Sequence, residues 1–332
     1  MAVLARYRKA RAATEASSAM VAEVRAGLLK DPPEIPCKYF YDDAGSRLFE
    51  EITRLPEYYQ TRTEERILEK NADAVVARFR PTELVELGSG ASRKTRVLLD
   101  AMARARLLKR CVLFDINERS LQESLRGLAA AYPGLEARGV AGDFATDLGA
   151  IGKSTQRRLA IFLGGTIGNL LPSAVPAFLA GLAALLSNGD GFLLGVDLVK
   201  DPARLHAAYN DAAGVTARFN RNILKVVNEA LAGDFDTAAF EHVAFYDPER
   251  AWIEMRLRAM RPTRVRVRGA GIDRTFEAGD EIRTEISCKY TRASLMELLP
   301  GTGLQLVDWL TDDEGLFALA VLERDRSRPT AA

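Results

Sequence analysis

One stretch, Glu83-Leu84-Val85-Glu86-Leu87-Gly88-Ser89-Gly90-Ala91-Ser92-Arg93-Lys94-Thr95, restricts the folds open to this chain more than any other, because it reads as a buried strand breaking into a glycine turn that opens a helix. Leu84, Val85 and Leu87 supply the apolar run of a parallel strand. Gly88 and Gly90 let the backbone approach a ligand with no β-carbon in the way, and Ser92 reads as the N-cap of the helix that follows. Such a turn sits at the carboxyl end of a strand, where open α/β sheets bind ligands. A nicotinamide-binding loop would carry a third glycine against the helix, and Arg93 stands in that place. Glu86, just before the first glycine, suits a ligand carrying an amine, and S-adenosylmethionine ends in an amino acid. By itself the loop leaves two readings open, a nucleotide site and a plain turn.

The next strand ends add to it. Cys111-Val112-Leu113-Phe114 runs into Asp115, at the distance downstream where an acid grips the two hydroxyls of an adenosine ribose, although a helix cap after a strand reads the same way. A third strand near Leu135 to Val140 leads to Gly142-Asp143-Phe144, a carboxylate for the exocyclic amine of an adenine and a ring beside its face. The fourth, Arg158 to Leu163, ends in Gly164-Gly165-Thr166-Ile167-Gly168-Asn169. This second glycine-rich strand end faces the first across the expected topological switch point. Its backbone and the Asn169 amide can line the same crevice, or Asn169 can simply cap the turn before Pro172.

Size permits more than this core. At 332 residues we expect one large α/β core and a second lobe. Lys and Arg number 46 against 45 Asp and Glu, so there is no basic excess to gather on a nucleic acid. The richest basic stretch, Arg256 to Arg268, alternates arginine with apolar residues and reads as the wet face of a β-hairpin. Cys37, Cys111 and Cys288 are isolated from one another, and His206 and His242 are the only histidines, so the expectation is no metal and no histidine-based triad. The longest apolar run, Phe178 to Leu186, is too short to span a bilayer, and a cytoplasmic protein with no membrane partner is expected.

Outside the core the texture changes. A helix from Thr14 to Leu29 is stopped by Asp31-Pro32-Pro33, and the aromatic, charged segment from Lys38 to Phe49 leads through a short helix to Leu55-Pro56-Glu57-Tyr58-Tyr59. A helix from Glu64 to Phe79 precedes the glycine loop, and a helix from Pro172 to Leu186 precedes a fifth strand, Gly191 to Leu198. From Lys200 to Ser287 the chain departs into helical segments over Pro202 to Leu231 and five extended runs, the last from Glu281 to Ile286. A helix from Thr291 to Leu299 and strands at Leu304 to Leu310 and Leu316 to Glu323 then close the core. The expected division is therefore a core of 61–199 and 288–323, a substrate-binding lobe of 12–60 and 200–287, and a flexible tail of 324–332.

Together the segment Lys38 to Glu64, the Glu86-Leu87-Gly88-Ser89-Gly90 loop with Lys94-Thr95, the Gly142-Asp143-Phe144 triplet, the Gly164 to Asn169 turn and Arg283-Thr284-Glu285-Ile286-Ser287 resemble the L-histidine Nα-methyltransferases of ergothioneine biosynthesis, in the same order over nearly the whole chain. The resemblance implies a Rossmann-like class I methyltransferase, α/β with a seven-strand sheet, and a second α+β lobe formed by the N-terminal segment and the insertion after the fifth strand. It implies that S-adenosylmethionine is held by Glu86, Gly88, Gly90, Lys94 and Asp115, with Asp143 and Phe144 at the adenine. It further implies that L-histidine is trimethylated to hercynine; a monomer is expected. Tyr59 would meet the substrate amine as the catalytic residue, Asn169 and Tyr209 its carboxylate, and Glu285 and Ser287 its imidazole, with Gly164, Met255 and Tyr39 lining the pocket. Gln60 occupies a position where such proteins often carry proline. Methylation of another small amino acid or amine, and catalytically silent binding of S-adenosylmethionine, are the alternatives.

Overall fold

The structure, a computed structural model, describes residues 6–11, 13–90 and 93–325. Ser92, read above as an N-cap, and residues 326–332 of the expected tail lie outside the described residues. The chain opens with strand β1 (Arg6–Lys9) and helices α1 (Ala13–Leu28), α2 (Asp43–Ile52) and α3 (Gln60–Phe79). Strands and helices then alternate through β2 (Glu83–Leu87), α4 (Arg93–Arg104), β3 (Arg110–Asp115), α5 (Glu118–Ala131), β4 (Glu136–Ala141), β5 (Arg158–Phe162), α6 (Val175–Ala183) and β6 (Gly191–Asp197). After α7 (Pro202–Tyr209) and α8 (Val215–Leu231) come β7 (Phe240–Asp247), β8 (Trp252–Ala259), β9 (Thr263–Val267), β10 (Ile272–Phe276) and β11 (Glu281–Cys288). Helix α9 (Arg292–Leu298) and strands β12 (Leu304–Thr311) and β13 (Phe317–Arg324) end the described chain.

Two compact units result. Among the described residues the first contains Gln60–Val199, those from Cys288 on and those up to Ala10; the second contains Arg11–Tyr59 and Lys200–Ser287. In the first, the sheet order is β1-β4-β3-β2-β5-β6-β13-β12. β13 runs antiparallel to both of its neighbours, so it is the one reversed strand. The sheet has eight strands rather than the expected seven, because Arg6–Lys9 pairs in parallel with Arg138–Ala141 of β4. That strand carries three basic residues in four and no apolar alternation, so only its backbone pairing identifies it, and charge on an edge strand deters further pairing.

Every residue of β2 and β5 is buried, as expected of central parallel strands covered on both faces. Helix α3 begins at Gln60, a turn earlier than its apolar spacing indicates, and Gln60, Thr61, Thr63 and Glu64 are all buried. Helix α6 is shorter than expected, starting at Val175 with proline in its first turn. Local chemistry sets several starts: Asn117 caps α5 through Ser120 N–H, and Thr291 and Ser294 form a reciprocal cap on α9. β13 extends through Arg324, placed above in the tail, whose guanidinium donates to the Ala183 carbonyl at 2.8 Å.

The second unit has a three-stranded sheet, β11-β8-β7, and the separate hairpin β9–β10. Helix α8 buries Phe219, Ile223 and Val227 at four-residue spacing, and Phe40 stacks on Phe219 with centroids 4.5 Å apart. The Arg256–Arg268 stretch is the expected wet hairpin face at Arg264 and Arg266, which are exposed and alternate with buried valines on β9, but not at its start. Arg256 and Arg258 lie on β8 and bind Glu281 of β11, Arg264 binds Asp273 across the β9–β10 hairpin, and Arg266 binds Asp234. No helix among the described residues is long and apolar enough to cross a membrane.

Candidate active site

In the first unit the glycine turn leaves the carboxyl end of β2, with Gly88 at φ 68° and Gly90 at φ 44°, both in the left-handed region that L side chains avoid. At Gly90 a β-carbon would meet nothing within 4 Å, so the turn is open on that side. Gly88 N–H donates to the Phe114 carbonyl at 2.8 Å, which sews the turn to the end of β3. The Asp115 carboxylate does the rest: Oδ2 accepts from Gly90 N–H and Oδ1 from Asn117 N–H, each at 2.9 Å. Burial raises its pKa above the usual carboxylate value against these backbone donors. Ser124 and Ser120 of α5 donate to the Gly90 carbonyl from the other side, at 2.8 and 3.3 Å.

Two ionised oxygens offer about four acceptor positions, so Asp115 can hold its turn and still receive a diol. We expect Asp115→Asn to weaken S-adenosylhomocysteine binding about tenfold, the lower end of a charged hydrogen bond at about 1.5 kcal/mol. Titration calorimetry reads it, and an unchanged affinity would remove Asp115 from the site.

Glu86 lies under the turn, wholly buried, with Thr95 of α4 donating to it. Burial, the largest influence, pushes its carboxyl up to about 8, with Asp115 and Glu64 adding to the rise and Thr95 and Lys94 opposing it. Past β4, Asp143 forms a tight turn in which Oδ1 accepts from Ala145 N–H at 2.8 Å. The Phe144 ring meets Phe162 edge-on, with centroids 5.1 Å apart, and Phe178 at 5.9 Å, so one aromatic wall stands beside that strand end. Lys94 pairs with Glu64, and both Glu64 oxygens accept from Gly164 N–H at 2.9 Å. Asn169 ends the short helical turn Thr166–Asn169 after β5. Since β3 and β4 lie on one side of β2, and β5 and β6 on the other, these groups gather where the strand order reverses.

In the second unit Tyr209, at the end of α7, donates its hydroxyl to Ser287 Oγ at 2.8 Å, and both are buried. Glu285 and Ser287 are two residues apart on β11 and so face the same way. Met255 is buried on the neighbouring β8, where its carbonyl accepts from Thr284 at 3.1 Å. Asn220 of α8 holds this corner together. Its amide oxygen accepts from Thr284, while its nitrogen donates to the Arg256 carbonyl and to His242 Nδ1. His242 Nε2 then donates to the Tyr209 carbonyl at 2.9 Å, so the ring is neutral, and burial lowers its pKa accordingly. Tyr39 and Tyr59 have other partners: Tyr39 donates to Glu23 of α1 at 2.7 Å, and Tyr59 accepts from Lys200 at 2.7 Å with the ammonium 4.6 Å from its ring centre.

Sequence reasoning missed Glu64, Lys200 and Asn220 as site residues, all charged or amide residues within helical or loop segments. One signal was available for Glu64. Gly195 interrupts the buried run Phe192-Leu193-Leu194-Gly195-Val196, and a β-carbon there would collide with Glu64 Oε1. Among the described residues no group of three or more His, Cys, Asp or Glu is placed to hold a metal ion.

The profile of a family described as "Histidine-specific methyltransferase, SAM-dependent" matches residues 20–324. The chain is 49% identical over 313 residues to the histidine N-alpha-methyltransferase of Mycolicibacterium smegmatis, covering 94% of this chain and 97% of that one. It is 46% identical to the protein of that name from Mycobacterium tuberculosis, covering 90% and 93%. It is also 31% identical to ergothioneine biosynthesis protein 1 of Neurospora crassa, over 87% of this chain and 33% of that longer protein. With a parallel sheet closed by a reversed β13 and a glycine turn at its switch point, the chain belongs to the S-adenosylmethionine-dependent, histidine-specific methyltransferases.

Proposed function

We propose that this protein methylates the α-amine of L-histidine three times, yielding Nα,Nα,Nα-trimethyl-L-histidine, as the first step of ergothioneine biosynthesis. The observation that carries the reading is the match to histidine Nα-methyltransferases along nearly the entire chain, including the strand that presents Glu285 and Ser287. The residues of the first unit fit the cofactor: an open turn at Gly90, carboxylates at the ends of β3 and β4, an ammonium on Lys94 and an aromatic wall at Phe144. Bound S-adenosylmethionine supplies an activated methyl group on a sulfonium.

The chain's own task is mainly alignment, which contributes up to about 7 to 11 kcal/mol when reacting atoms are held in line. Glu285 and Ser287 select an imidazole, one accepting from a ring N–H and the other donating to the second ring nitrogen. The Tyr209 hydroxyl orients Ser287, and Asn220 and His242 hold Tyr209 in turn. Tyr59 and Asn169 complete the reading as contacts of the substrate amine and carboxylate. An aromatic face near the amine stabilises the growing cationic character by about 0.5 to 2 kcal/mol. Mass spectrometry of L-histidine incubated with the protein and excess S-adenosylmethionine tests this: gains of one, two and finally three methyl groups are expected, and a product that stops at one contradicts it.

Glu86 makes a second, pH-dependent expectation. Its carboxyl titrates near 8 in the folded protein against about 4.5 in an open chain, so the free protein takes up a proton over that window and loses stability as pH rises through it. The ammonium of the cofactor favours the ionised form. Binding therefore releases a proton near pH 7, and affinity rises with pH up to about 8, by at most about tenfold per unit. Calorimetry in two buffers of different ionisation enthalpy measures the release, and Glu86→Gln should abolish it; a release that persists in the variant places the proton elsewhere.

A further inference from the structure

We propose that Glu64 is a positioning residue of the cofactor site, one that fixes the Lys94 ammonium and the Gly164 N–H and so sets where the amino-acid end of S-adenosylmethionine is received. The proposal rests on the reading of Lys94 as a cofactor contact. Glu64 is completely buried, with 0% of its surface exposed, in the first turns of α3. A carboxylate is retained in such a place only when charge and hydrogen bonds compensate it. Here Lys94 supplies the charge, and Gly164 N–H bonds both oxygens at 2.9 Å.

These partners come from the two turns that flank the reversal of strand order, Lys94 from the helix after β2 and Gly164 from the turn after β5. The turns are close: a β-carbon on Gly164 would lie 3.7 Å from Lys94 Nζ. Space for the carboxylate is cut into a third element, because β6 carries glycine at 195, where any β-carbon would strike Glu64 Oε1. A lysine ammonium has three N–H donors. With one on Glu64, its direction is fixed and the remaining donors can meet a ligand carboxylate. Were Glu64 merely tying α3 to α4, its loss would disturb every ligand of the site alike. Acting through Lys94, it matters only to ligands that carry the amino-acid end.

The test compares S-adenosylhomocysteine with methylthioadenosine, which shares the nucleoside and thioether but lacks the amino acid. Glu64→Gln keeps an acceptor for Gly164 N–H and turns an amide against the Lys94 ammonium. We expect its Kd for S-adenosylhomocysteine to rise at least tenfold while that for methylthioadenosine stays within about twofold, because only the first ligand reaches Lys94. In a Lys94→Met background the same change should add nothing. Gly195→Ala, which crowds the carboxylate without removing its charge, should reproduce the selective loss and serves if Glu64→Gln does not fold. Equal weakening of both ligands, or full additivity with Lys94→Met, would overturn the proposal. If Lys94→Met alone left S-adenosylhomocysteine binding intact, the proposal would fall through the Lys94 assignment, and if the unaltered protein bound neither ligand, through the cofactor reading itself.

Discussion

Glu83→Ala is expected to cost the first unit about 3 to 5 kcal/mol of unfolding free energy, far more than a typical substitution, because it strands a buried cation. Glu83 is 1% exposed and Arg158 2% exposed, at the amino ends of neighbouring strands. Their register is direct: Glu83 of β2 stands opposite Arg158 of β5 on one side and Arg110 of β3 on the other. Arg158 Nε donates to Glu83 at 2.6 Å, and Arg110 Nη1 donates to it at 3.1 Å. Without the carboxylate, Arg110 keeps Glu136 at 2.8 Å, while Arg158 keeps Nη1 on the carbonyls of Gly152 and Leu185 and the attraction of the Asp190 carboxylate, which accepts from its backbone N–H. The Nε–H bond is lost, and with it the carboxylate that meets the buried guanidinium directly.

Removing both charges should be far milder. Glu83→Met combined with Arg158→Met replaces a buried ion pair with apolar volume, which is often neutral or stabilising. The chain has two tryptophans, Trp309 in the first unit and Trp252 in the second, so fluorescence of a Trp252→Phe background follows the first unit alone during denaturation. A loss below about 1 kcal/mol for Glu83→Ala, or a double variant worse than the single, would show that the pair carries no such weight.

The same pair explains what a sequence conceals. Glu83 and Arg158 each open an apolar run and look like polar strand ends in water, and only the strand order brings them together under the sheet. The apolar runs themselves were legible because burial on both faces demands them, so β2, β3, β5 and β6 fall where Leu, Val, Ile and Phe accumulate. β1 was illegible for the opposite reason. Three of its four residues are basic, Tyr7 alone packs against the core, and the pairing with β4 runs through the backbone, to which side-chain pattern is blind.

At the candidate site, residues of ligand-binding type were easier to read than those that hold them. Gly88 and Gly90 stand in a local motif and Asp115 at a fixed strand end after it, whereas Glu64 and Asn220 act across 100 and 36 residues, on Gly164 and on Arg256. Asp115 also shows one residue with two tasks. Its spacing points to a ribose, while its carboxylate organises the Gly90 turn and the start of α5. The bond at the start of α5 answers to the helix-cap reading of the same residue, whereas nothing in the spacing reveals the hold on Gly90, because backbone N–H groups are present at every position.

Glu285→Ala should reduce histidine turnover by about 10- to 150-fold while leaving cofactor affinity unchanged, since a charged hydrogen bond of about 1.5 to 3 kcal/mol is removed from the unit that does not carry the glycine turn. Glu285 lies on β11 with Ser287, whose hydroxyl already accepts from Tyr209 and is therefore turned to donate its own proton. A neutral imidazole offers the matching pair, one N–H for the carboxylate and one lone pair for the hydroxyl. Phenylalanine and tryptophan do not: phenylalanine has neither a ring N–H for the carboxylate nor a lone pair for the hydroxyl, and indole has a donor but no ring acceptor. On the proposed reading of Glu285 the discrimination comes largely from mismatch with these rings, and removing Glu285 should relax it. Relative to histidine, the specificity constants for phenylalanine and tryptophan should rise in Glu285→Ala, while Ser287→Ala should lower histidine turnover with little gain for either, because the carboxylate that repels them remains. An undiminished preference for histidine in Glu285→Ala would mean that β11 does not read the ring.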